Sequence, residues 1–477
     1  MGKRKLLTNS LSLLVNRLVQ SITTFVLTAV IARTLGAYEL GQYLLAFSYY
    51  YIFVSIASQG LKTLLTREMC RNPQETSVYL VNGTLLQLFL SFICYAAMVV
   101  LVFILPYSYE TSTICYIMGL TIIPFSLSNI TEAVFQAQER MNLIVISTVP
   151  VYILRLLVMV WTMYLNYGVN YLAGIFVVSE IIIFIIEWIL IRRIVKPKWQ
   201  INQYFVWHTF KSAGTFLAID AVGIISSKMD ILIISLLGSE LMVGIYGAIM
   251  QLIQPFVMIV NSVCLAAFPS LTKAVDIGKE KLQQITENIL EMLLYITLPF
   301  LVGNFFVGSN LINFIYQDIN FSQIDLVIKI TFLSIITYPF KQTFVYLLLA
   351  NGLEKLNLLE VVITNIVAAL SGVLLVLEYK LMGAAFMSLM SSLTAFSVLT
   401  FFVYSRLFSL HLLRIIRRPL LVSIGMVLVF LILQKFRLDF LLILIISTCA
   451  YALFMSFMSI HVFGGPRTMW KKILNNQ

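Results

Sequence analysis

Apolar residues run through this chain in stretches of about 20, separated by short polar or basic runs, and each stretch can cross the roughly 30 Å hydrocarbon core of a bilayer as a helix. The pattern predicts about fourteen transmembrane helices, over residues 10–32, 42–65, 79–105, 113–136, 144–165, 170–192, 212–237, 244–268, 286–307, 327–350, 358–378, 381–405, 419–434 and 439–462. Connections are short, the longest about 20 residues, so any chemistry has to happen within the helices. The fold class is therefore all-α integral membrane.

Several of these spans have a polar side. On a wheel of the first, Asn9, Ser12, Asn16, Arg17, Gln20, Ser21, Thr23, Thr24 and Thr28 occupy about half the circumference. Lipid offers no hydrogen-bond partner, so that half must face protein or water. The second span stacks Ser48, Ser55, Gln59 and Lys62 on one stripe, and the eighth gathers Gly244, Gly247, Gln251, Gln254, Asn261 and Ser262. The seventh carries Asp220, Ser227 and Asp230, with Lys228 to the other side of Asp220. The last two spans have almost no polar positions and are expected at the periphery, against lipid.

The chain also repeats itself. Leu35-Gly36 with Gly41-x-Tyr43 returns about 200 residues later as Leu237-Gly238 with Gly244-x-Tyr246, and Gln138 to Asn142 returns as Leu353 to Asn357. Two parallel six-helix bundles around a central cavity follow, residues 1–199 and 200–410, with two further helices in 411–477. The duplication aligns Arg17 with Asp220 to within one residue, so the halves present opposite charges at nearly the same depth. Gly36, Gly41, Gly238 and Gly244, at the helix ends, are candidate hinges, or simply tight turns.

Composition agrees: 60% of residues are hydrophobic and 11% charged, against about a quarter charged in soluble domains. Most of the 32 Lys and Arg lie at the termini and on the even-numbered connections, which places those and both termini in the cytoplasm. The net charge of +11 is thus mostly topology, and no nucleic-acid motif accompanies it. The basic N-terminus leads into a segment too long and too polar for a signal peptide. The five Cys show neither metal spacing nor a disulfide framework, and no metal or cofactor is expected.

Charges inside the spans are the candidate chemistry, because each costs roughly 2.5–3.5 kcal/mol near mid-bilayer unless it is hydrated or paired. Arg17, Arg155, Lys228 and Lys341 either line a cavity or pair with Asp220, Asp230 or Glu132. Arg155 follows Pro150 and Lys341 follows Pro339, where helix kinks are expected. Lys62 and Lys329 lie near helix ends and can snorkel, and Glu187 is one turn from Arg192, which suggests a local ion pair. A surplus of fixed cations in low-dielectric walls attracts anions.

The run Ala32 to Gly36 with Gly41-x-Tyr43, Gly60-Leu61 leading to Thr66-Arg67-Glu68, then Lys228-x-Asp230 and Phe268-Pro269, resembles polysaccharide exporters of the multidrug/oligosaccharidyl-lipid/polysaccharide (MOP) superfamily. The nearest branch is the Wzx-type flippases. That resemblance implies a bacterial inner-membrane transporter, not an enzyme, turning a polyprenyl-diphosphate-linked oligosaccharide across the membrane by alternating access, coupled to H⁺ or Na⁺. Glycosyltransferases and a polymerase of the same pathway are the implied partners. On this reading Arg17, Arg155, Lys228 and Lys341 hold the anionic groups, Asn16, Gln20, Gln59, Gln251 and Gln254 bond sugar hydroxyls, and Asp220, Asp230 or Glu132 binds the coupling ion. A lipid II flippase of the MurJ type and a multidrug exporter stay open as alternatives. A membrane polymerase is disfavoured by the lack of a large loop, an Asp-x-Asp pair or a P-loop.

Overall fold

The computed structural model describes residues 3–197, 223–317, 324–436 and 438–463. Among these the chain is helical throughout: α1 (Lys3–Thr34), α2 (Ala37–Arg71), α3 (Thr76–Ile104), α4 (Tyr109–Gly119), α5 (Ile122–Ala137), α6 (Asn142–Tyr164), α7 (Val169–Arg192), α8 (223–237), α9 (Glu240–Ile277), α10 (Lys279–Tyr316), α11 (Asp325–Leu333), α12 (Tyr338–Ala350), α13 (Glu354–Arg406), α14 (Leu412–Gln434) and α15 (Phe440–Phe463). Backbone N–H and C=O groups cannot be left unpaired in lipid, and a helix satisfies them within one segment.

Eleven helical segments of the described residues are long and apolar enough to cross a membrane, against the fourteen expected. Three local facts account for the difference. The seventh expected span begins outside the described residues, the side chains of α15 are described only as far as Ser456, and α13 carries two expected spans in one 53-residue helix. Within α13 only Lys380 leaves helical geometry, at φ 50° and ψ −123°. The turn there is tight: a Cβ on Gly383 would stand 1.9 Å from the Leu375 carbonyl oxygen.

Of the two prolines beside which kinks are expected, Pro339 stands at an interruption of the helix. Between α11 and α12 the chain passes through a 3₁₀ turn, Ser334–Thr337, immediately before Pro339. By contrast α6 runs through Pro150 without interruption. The fourth expected span also divides, into α4 and α5 around Leu120-Thr121.

The chain forms two compact units, Met1–Ala248 and Ile249–Gln477. In the first, α2 packs against α3, α4, α5 and α7, and α1 lies along α6. Its interior holds Leu61, Leu65, Leu80, Ile130, Val134 and Ile191, all buried. In the second, α14 and α15 close on α10, where Phe306 stacks on Phe430 at 5.1 Å and the Tyr451 hydroxyl donates to the Tyr295 carbonyl at 2.6 Å. The outer side of α14 exposes Leu421, Leu428 and Ile432, an apolar surface suited to lipid.

Candidate functional site

The polar half of α1 and the polar stripe of α2 face a common space. A cavity of about 260 Å³ inside the first unit is lined by Gln20, Thr23 and Thr24 of α1, Ser55, Ser58 and Lys62 of α2, Asn129 of α5, Arg155 of α6 and Glu180 of α7. Thr23 and Thr24 spend their hydroxyl hydrogens on carbonyls of their own helix, at 2.8 Å each, which leaves oxygen lone pairs toward the space. Aromatic rings complete the wall: Tyr43, Phe47, Tyr50 and Tyr51 of α2, Phe125 of α5, Tyr152 of α6 and Phe176 of α7.

Both cations in this wall are paired. Arg155, 8% exposed, gives its guanidinium to Glu180 at 2.8 Å and Ser179 at 3.3 Å, flanked by the rings of Tyr152 (4.9 Å) and Phe176 (4.5 Å). Lys62 donates to Glu132 and, at 3.0 Å, to Asn129. Lys62 therefore turns inward and does not snorkel, because a carboxylate and an amide on α5 receive it. Glu132, a candidate for ion coupling, is taken up in this pair. Each of these two positive charges is thus matched by a carboxylate.

Other predicted positions are distributed more widely. Lys228 lies 5.2 Å from the ring of Tyr51 and 5.8 Å from that of Phe47, both cavity residues, and among the described residues no carboxylate stands at ion-pair distance from it. Arg17 is exposed on α1, and Asn16 accepts from the Thr148 hydroxyl of α6 at 2.9 Å. Asp230 accepts from the Tyr246 hydroxyl at 2.9 Å. Asp220, and with it the opposition to Arg17, lies outside the described residues, as does the side chain of Gln59. In the second unit Gln251 is half-buried and Gln254 exposed, and Lys341 stands 3.6 Å from the enclosed carboxylate of Glu360. The second oxygen of Glu360 has no hydrogen-bond partner among the described residues.

The four glycines have distinct roles. Gly36, at φ 93°, makes the turn between α1 and α2. Gly41 and Gly244 meet where α2 crosses α9: a Cβ on Gly41 would fall 1.7 Å from the Glu240 carbonyl oxygen, and one on Gly244 1.9 Å from that of Ala37. Gly238 ends α8, its N–H bonded to the Ile234 carbonyl at 2.9 Å. Hydrogen bonds surround the crossing. Gln42 donates to Thr111 at 3.0 Å, Thr111 to Glu240 at 2.9 Å, and the Tyr107 hydroxyl is shared with Tyr49 and Ser235 at 2.8 Å each.

Two features escaped the reading of the sequence. The Arg155–Glu180 pair joins two helices whose relative rotation no sequence pattern gives. The aromatic wall reads as ordinary apolar span until the helices are assembled. Lys62 did carry a signal, since it lies seven residues after Ser55 and so on the same side of α2.

Residues 30–319 match the model of a family described as polysaccharide biosynthesis protein. The chain belongs to this family. A sequence search of the curated proteins finds no match. Among solved structures, the fold is similar to that of the lipid II flippase MurJ in an inward closed conformation, with TM-score 0.75 and 16% identity over 96% of this chain and 99% of that one. It is also similar to an inward-facing multidrug resistance MATE transporter of the MOP superfamily (TM-score 0.63, 12% identity, 81% and 94% covered). A MOP superfamily transporter from Pyrococcus furiosus matches with TM-score 0.57 and 12% identity, over 85% and 95% of the two chains. The polysaccharide biosynthesis protein thus has the MOP fold, as its resemblance to the Wzx-type flippases implied.

Proposed function

We propose that the protein is a flippase that turns a polyprenyl-diphosphate-linked oligosaccharide across the bacterial cytoplasmic membrane by alternating access, coupled to H⁺ or Na⁺, with both termini in the cytoplasm. The observation that carries this reading is the cavity of the first unit, where paired charges, side-chain amides and hydroxyls alternate with aromatic rings. Sugar hydroxyls need donors and acceptors together, and the ion pairs Arg155–Glu180 and Lys62–Glu132 offer both without a net charge. The apolar faces of pyranose rings suit the aromatic wall. Arg17 and Lys228, with no ion-pair partner among the described residues, and Lys341 are the cations proposed to meet the diphosphate and anionic sugars, while the polyprenyl chain stays in lipid. Asn16, Gln20, Gln59, Gln251 and Gln254 are proposed to bond the glycan.

The test is reconstitution of the full chain in vesicles with a fluorescent lipid-linked oligosaccharide, scoring its movement between leaflets. Flipping by the wild type, and its loss in the triple variant Arg17→Ala, Lys228→Ala, Lys341→Ala, is the expected result. Full activity in that variant overturns the cationic headgroup site. The likeness to MurJ supports a second reading, lipid II as cargo, and flipping of lipid II in preference to the oligosaccharide would select it. A polymerase would lengthen the glycan in the same vesicles.

A further inference from the structure

Glu187 of α7 is fully enclosed, with no exposed surface. Its two carboxyl oxygens meet two hydroxyls, that of Thr131 on α5 and that of Ser147 on α6 at 3.1 Å. No Lys, Arg or His stands at ion-pair distance from it among the described residues. Arg192, one turn further along the same helix and expected as its partner, is exposed and lies over the Trp188 ring at 6.0 Å. The charged groups that face Glu187 from neighbouring helices are Glu132 of α5 and Lys62 of α2, which are bonded to each other. Tyr152 of α6 also interacts with Glu187.

Counting hydrogens shows what this pocket can hold. A hydroxyl carries one hydrogen. The Thr131 hydroxyl also lies 2.7 Å from the Ser128 carbonyl oxygen, and that of Ser147 lies 2.9 Å from Ile144, the usual back-bonds of hydroxyl residues inside helices. When a hydroxyl gives its hydrogen to its own helix, it can only accept from Glu187, and the carboxyl must then supply a proton. A protonated carboxyl donates on one side and accepts on the other, so it fits the arrangement in which one hydroxyl gives its hydrogen to its own helix and the other gives it to Glu187. An ionised one would be a buried charge without a counter-ion, which is far more expensive than any hydrogen bond it receives.

We propose that Glu187, with Thr131 and Ser147, is a proton-binding site of the transport cycle. It holds H⁺ while the pocket is closed and releases it when water enters from the cavity. The path is short in sequence: Thr131 adjoins Glu132, which binds Lys62, and Lys62 lines the cavity. On release the carboxyl O–H bond breaks, its electron pair stays on the carboxylate, and the proton passes to water. Among the described residues no second carboxyl group is bonded to Glu187 and no group of three or more His, Cys, Asp or Glu stands together to hold a metal ion, so a proton suits the pocket better than a metal cation. This deepens the proposed function by naming the coupling ion and its residue.

Infrared difference spectroscopy on the purified full chain tests the site independently of transport. The wild type at neutral pH is expected to show a protonated-carboxyl C=O stretch, shifted in D₂O, that is missing in Glu187→Gln. Ser147→Ala, which removes one hydrogen bond and little volume, is expected to move that band. Identical bands in wild type and E187Q overturn the proposal, as does an unmoved band in S147A. In vesicles, an imposed pH gradient is expected to accelerate flipping by the wild type and to lose its effect in E187Q. A gradient response retained in E187Q also overturns it. A wild type that shows the Glu187 band but flips no lipid-linked oligosaccharide refutes the cargo and leaves the proton site standing.

Discussion

Replacing Gly41 with alanine tests whether the crossing of α2 over α9 holds this arrangement of the helices. The added Cβ would lie 1.7 Å from the Glu240 carbonyl oxygen and 2.9 Å from the Gly244 nitrogen, both rigid backbone atoms. A comfortable carbon–oxygen contact is about 3.3 Å, so the helices must part by roughly 1.5 Å. Overpacking of that kind costs roughly 1–3 kcal/mol. If the protein has an alternative in which α2 and α9 stand apart, this shifts the balance toward it by roughly 5- to 150-fold. Cys115 reports the change, since it is buried on α4 one turn from Thr111, which bonds to both Gln42 and Glu240. With Cys70, Cys94, Cys264 and Cys449 replaced by alanine, a charged thiol reagent should modify Cys115 faster in G41A by a factor in that range. Gly174→Ala on α7, where an added Cβ meets nothing within 4 Å, is the matched control and should leave the rate unchanged. A folded G41A protein that labels at the wild-type rate would refute the reasoning.

Other ion pairs make their own predictions. Arg155→Ala leaves Glu180 buried without its counter-ion and should cost about 3–5 kcal/mol, seen as a fall in Tm in detergent, whereas Arg155→Met with Glu180→Leu should recover most of it. Lys62→Ala and Glu132→Ala should be non-additive in a thermal double-mutant cycle, with a coupling of about 0.5–3 kcal/mol; additive effects would mean that the pair carries no stability. Lys341→Met should destabilise the second unit through the enclosed Glu360, and Lys341→Met with Glu360→Gln should restore the Tm.

Much of the architecture was legible because helix formation in lipid is a local decision. A run of about 20 apolar residues has to satisfy its own backbone, so the spans at 358–378 and 381–405 could be placed from composition, and the structure departs from helix between them only at Lys380. At Pro339, where a kink was expected, the helix is interrupted by a 3₁₀ turn, since a missing N–H and a fixed φ act on their own neighbours. At Pro150 the helix continues, with α6 packed along α1 and α7.

The candidate site was legible only as a sign and a set of faces. Sequence placed Gln20, Thr23, Thr24 and Lys62 on polar sides of α1 and α2, and the cavity lies there. It also counted the intramembrane charges. Which charge meets which depends on the rotation and depth of helices far apart in the chain, and that was decided by packing alone. Tertiary structure gave Arg155 to Glu180, turned Lys62 inward to Glu132, and enclosed Glu187 between two hydroxyls instead of leaving it with Arg192. It brought Gly41 against Gly244, where the sequence offered only a doubled motif. By itself the chain determined that it would be a bundle of membrane helices, since each span answers to its own composition; where its charges and glycines sit was settled by contacts between spans, which no single span encodes.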